Sequence, residues 1–110
     1  MISDTMKKIR TRIRSSKSIP RKTRTELLGL LSRLESEIGG LSHSAPEHAE
    51  SIAGFIERSA HEATRKEKNP KLLKLSLKGL AESVKGFEVS HPQLLEDISY
   101  ISSELANIGI

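Results

Sequence analysis

A chain of 110 residues without cysteine has room for one domain and no disulfide framework, thiolate nucleophile or Cys-ligated zinc. Apolar residues make up 35% and aromatic residues only 3%, with no stretch near the roughly 18 uninterrupted apolar residues of a membrane span. Residues Met1 to Arg14 lack the apolar core of a secretory signal, so a cytoplasmic location is expected.

Four prolines divide the chain. The first segment carries Ile2, Met6, Ile9 and Ile13 at steps of four, three and four. Pro20 opens a second segment with Leu27, Leu31, Leu34 and Ile38 in the same rhythm, and Gly39-Gly40 reads as its stop. Ser44-Ala45-Pro46-Glu47 predicts a capping box, with Ser44 as N-cap and Glu47 reaching back to the cap amide. The third segment follows with Ala45, Ala49, Ile52, Ile56, Ala60 and Ala63, a seam of small side chains with Gly54 beside it, where a neighbouring backbone has room to approach. Asn69-Pro70 predicts a plainer cap, Asn69 capping and proline in the first turn. Leu73, Leu77, Leu80, Val84 and Phe87 form the fourth seam, broadened by Leu72 and Leu75 as Leu28 and Leu30 broaden the second. Ser90-His91-Pro92-Gln93 predicts a second capping box, and Leu94, Ile98, Ile101, Leu105 and Ile108 complete the series up to Gly109.

This rhythm averages 3.5 residues and puts one apolar stripe on each helix, as in coiled-coil packing. Strict alternation is missing. The expected fold is all-α: one domain over residues 1–110, a small bundle of about five helices. Stripes wider than one seam call for two neighbours, either two helices of the same core or a core and a second copy, and a homo-oligomer is the expected assembly.

Charge is uneven. Residues 1–25 hold nine bases (Lys7, Lys8, Arg10, Arg12, Arg14, Lys17, Arg21, Lys22 and Arg24) and one acid, Asp4, for a net +8. The other 85 residues hold nine bases and 13 acids, a net −4 that restores the overall +4. Such a run suits phosphate contacts, an anionic membrane surface, or acidic groups elsewhere in the chain or on a second copy. No aromatic side chain accompanies it, so base stacking and interfacial anchoring lack support, and the membrane surface is the weaker of the two external partners.

Catalytic chemistry is thin. Glu57 and His61 stand four apart, and Glu88-Val89-Ser90-His91 has the E-x-x-H spacing of di-iron helices, but Pro92 starts a helix across that motif. The 16 serines fall mainly at caps and polar faces, and there is no phosphate loop, dinucleotide fingerprint or H-E-x-x-H. No catalytic, cofactor-binding or metal-binding residue is predicted.

Phe87, Glu88, Ser90, His91, Pro92 and Leu94, followed by Leu105, Ala106, Asn107, Gly109 and Ile110, carry a resemblance. The last 50 or so residues resemble a family of short bacterial all-helical proteins catalogued as a domain of unknown function, and residues 62–75 are similar to one branch of it. The resemblance implies a small bacterial cytoplasmic helical protein and brings no ligand or catalytic residue. The basic N-terminal run lies outside it. The functional expectation is a non-enzymatic interaction or scaffold module that self-associates. The alternative is a nucleic-acid-associated protein that contacts phosphates through the basic segment.

Overall fold

The computed structural model describes residues 2–109, which form five helices and no strand. In chain order they are α1 (Ile2–Ser15), α2 (Arg21–Ser44), α3 (Pro46–Thr64), α4 (Pro70–Ser83) and α5 (Pro92–Gly109). The helix α3 touches the other four, while α1 meets neither α4 nor α5, and α2 does not meet α4. The arrangement is therefore two layers, α1, α3 and α4 side by side over α2 and α5. Its radius of gyration of 12.9 Å is that of a close-packed domain of this length.

The seams read from the sequence build the core between these layers. Met6, Ile9 and Ile13 of α1, Leu27, Leu31, Leu34 and Ile38 of α2, and Ile52 and Ile56 of α3 are all buried. So are Leu73 and Leu80 of α4 and Leu94, Ile98, Ile101 and Leu105 of α5. Leu30 is also buried and Leu28 packs against the core, so α2 spends its broader stripe on α1, α3 and α5 within one chain. Ile19, in the connection between α1 and α2, is a core residue that the helical periodicity does not reveal.

The small side chains of α3 do permit close approach, though not at Gly54, around which there is open space. The approach occurs at Ala63, whose Cα would lie 3.3 Å from a Cβ at Gly109 of α5. At Gly79 of α4 a Cβ would overlap the Phe55 ring of α3.

Helix ends depart from the sequence reading in three places. Gly39-Gly40 do not stop α2, which continues to Ser44 because two exposed or half-exposed glycines cost less than breaking a helix anchored by buried Leu41. Ser44 is consequently still helical, its hydroxyl donating to Leu41 O at 3.4 Å, and α3 begins after Ala45 with no side-chain cap, so the Ser44–Glu47 capping box does not form. The helix α4 ends at Ser83, before Phe87, where Gly86 at φ +96° turns the chain. At α5 the residue before Pro92 is His91. Ser90 Oγ lies 2.8 Å from His91 Nδ1, and Gln93 Nε2 donates to Asp97 Oδ1 at 3.3 Å, so the second box is also replaced.

Asn69 caps α4 as expected, its side chain accepting from the Leu72 amide at 3.2 Å. Asn69→Ala is therefore expected to cost about 1 kcal/mol in a urea melt, whereas Ser44→Ala should change stability by less than about 0.5 kcal/mol. Equal costs at the two sites would contradict the assignment of these ends.

Candidate interaction surfaces

The basic segment divides into side chains that serve the fold and side chains that face outward. Arg10 ion-pairs with Glu35 of α2. Arg24 donates to Ser16 O at 2.7 Å and Ile19 O at 3.0 Å, closing the α1–α2 connection from inside. Arg12 leans the other way, to Thr64 Oγ1 of α3 at 3.5 Å. Lys7, Lys8, Arg14, Lys17, Arg21 and Lys22 are exposed, with no hydrogen bond or ion pair to another described residue. Of the nine predicted positions, then, two are structural, one is shared with α3 and six are open.

A recess of about 640 Å³ runs along α1, lined by Lys7, Lys8, Thr11, Arg12, Glu57 and Thr64 among others. A smaller one of about 280 Å³ brings Arg12 to Arg58 and His61 on α3. Both are shallow and cationic, with Glu57 between them. Among the described residues no three His, Asp or Glu side chains gather closely enough to hold a metal ion. The E-x-x-H motif does not converge: the Glu88 carboxylate accepts from the Gly86 amide, and His91 turns to Ser90 and the edge of Phe87. The Phe87 ring also meets His48 edge-on at 5.4 Å, tying the start of α3 to the α4–α5 connection.

In the opposite layer α5 is acidic. Residues 86–110 contain no Lys or Arg, and α5 contributes Glu96, Asp97 and Glu104. Asp97 is fully buried against α2, where Arg33 reaches both of its oxygens at 3.4 Å. Beside it Glu37 Oε1 is buried without a hydrogen-bond donor. Burial, with Asp97 as a neighbour, raises the Glu37 pKa from 4.5 to about 7, against the opposing pull of Arg33. Further along the same helix pair, burial and then Glu26 raise the pKa of Glu104. These cross-helix carboxyls are invisible to a reading of single segments. The one sequence signal for them is the absence of basic residues after Lys85.

Three large apolar side chains remain outside the core on adjacent helices. Phe55 of α3 is 37% exposed, and Leu72 and Leu75 of α4 are 39% and 64% exposed. Phe55 seats on Gly79, so α3 and α4 present one apolar strip, and exposed Arg58, Lys71, Lys74 and Lys78 surround it. No described helix is long and apolar enough to cross a membrane. No family model, curated protein or solved structure matches the chain significantly.

Proposed function

We propose that this protein is a non-enzymatic interaction module that self-associates through the outer face of α3 and α4. One observation carries the reading: Phe55, Leu72 and Leu75 stay exposed in a bundle that buries nearly all its other large apolar seam residues. An uncovered apolar strip rimmed by charge marks a contact surface.

A second reading rests on the six open cations of α1, the connection after it and the first turn of α2. They suit phosphate groups, and each neutralised phosphate would release a counterion. Sedimentation of the full chain over a wide concentration range, with and without a labelled DNA duplex, separates the two. Self-association predicts a mass that rises with concentration at physiological salt, where duplex binding is lost. A mass that stays monomeric, together with duplex binding that survives physiological salt and falls steeply above it, would replace the first reading with the second.

A further inference from the structure

The apolar strip has a counterpart elsewhere on the same molecule. Between α2 and α5 lies a groove of about 360 Å³ lined by Leu30, Tyr100, Glu26, Glu104 and Arg33 among others, with Leu30 buried and Tyr100 exposed. Tyr100 is 55% exposed, and the space around Gly29 is open. The groove joins apolar side chains to two carboxyls, while the strip is apolar at its centre and basic at its edge. The strip lies on α3 and α4 and the groove on α2 and α5, so the two surfaces are built from different helices.

We infer that copies of this chain join head to tail, the α4 strip of one copy seated in the α2–α5 groove of the next. The inference rests on the self-association proposed above and names its two surfaces. Charge decides between this and a symmetric contact. Two strips facing each other would set Arg58, Lys71, Lys74 and Lys78 against the same four cations, offset only in part by Glu82, which lies near Lys78 and is paired with Lys85, so the net like-charge apposition is unfavourable. Strip against groove instead sets those lysines against Glu26 and Glu104. The one base at the groove, Arg33, is already engaged by Asp97. Burial and then the neighbouring Glu26 raise the pKa of Glu104, and a lysine from the next copy would place a positive charge beside this pair of carboxyls. In this contact Leu75 meets Tyr100 and Leu30. A heterologous contact of this type leaves a free strip at one end and a free groove at the other, so it propagates until a ring closes or the chain stops.

Two surface variants test the pairing. Leu75→Asp disables the strip and Tyr100→Lys disables the groove, and circular dichroism melts matching the wild type would verify that both fold. Each variant alone is expected to be monomeric in sedimentation, while an equimolar mixture forms a 1:1 dimer and grows no further. If Tyr100→Lys still assembles like the wild type, the contact is symmetric and the inference falls while self-association stands. If the wild type assembles but the mixture stays monomeric, the groove is not the receptor. A wild type that is monomeric throughout overturns both the inference and the reading beneath it.

Discussion

Ile56→Ala is expected to lower the free energy of unfolding by about 4 kcal/mol, and the melting temperature by roughly 20 °C. Ile56 is fully buried at the middle of α3, the helix that all the others pack against. Removing three of its carbons loses transfer free energy and opens a cavity that four helices would have to move to fill. A core set by a two-layer arrangement cannot close such a void by shifting one element. Leu75→Ala, which removes the same three carbons from a 64% exposed side chain, should change stability by less than about 0.5 kcal/mol. Urea denaturation of both variants checks the contrast. A loss under 1 kcal/mol at Ile56, or a large loss at Leu75, would mean that the layers are packed differently.

The second large effect is pH-dependent stability, carried by Glu37. Its carboxyl pKa is about 7 in the fold and near the ordinary 4.5 in an unfolded chain, so the fold favours the protonated form. That contribution is fully present below about pH 4.5 and disappears as pH rises through 7. The physical cause is local: the protonated carboxyl has a hydrogen to donate toward Asp97, whereas the carboxylate leaves Oε1 buried without a donor beside a second negative charge. Melting temperature should therefore fall between pH 5 and pH 8. Glu37→Gln keeps the shape, supplies a permanent donor and removes the charge, so it should stabilise the protein at pH 8 and flatten the profile. The difference between wild type and Glu37→Gln is the informative quantity, because it isolates this one carboxyl. A profile unchanged by the substitution would assign the pH dependence to another group.

How far these features were legible in advance follows from the range of the forces involved. The 4-3 spacing of Leu and Ile exposed the five seams because each helix must bury one stripe, and a stripe is a property of one segment. Helix ends were less legible. Ser44 and Ser90 each carry the local pattern of a cap, yet α2 continues through Gly39-Gly40 because Leu41 is wanted in the core. Tertiary burial outweighed a cap worth about 1 kcal/mol. The basic run was plain as composition, but nothing local separates Arg10 and Arg24, held by Glu35 and by backbone carbonyls, from the cations that face outward. The carboxyls of Glu37 and Asp97 are 60 positions apart and meet only because α2 lies against α5. Such a meeting depends on how helices are ordered in space, which no window of sequence records.

The single residue between α2 and α3 bears on how the chain acquires its shape during synthesis. With only Ala45 as the joint, α3 must fold back along α2 as soon as it forms, and α1 then has both of its neighbours. Three helices can thus assemble while the rest is still being made. The side of α2 that carries Leu30 and Glu37 gains its cover only when α5 arrives, and α5 is translated after the other four described helices. A nascent chain paused before that point displays a half-built core edged with carboxylates until α5 closes over it.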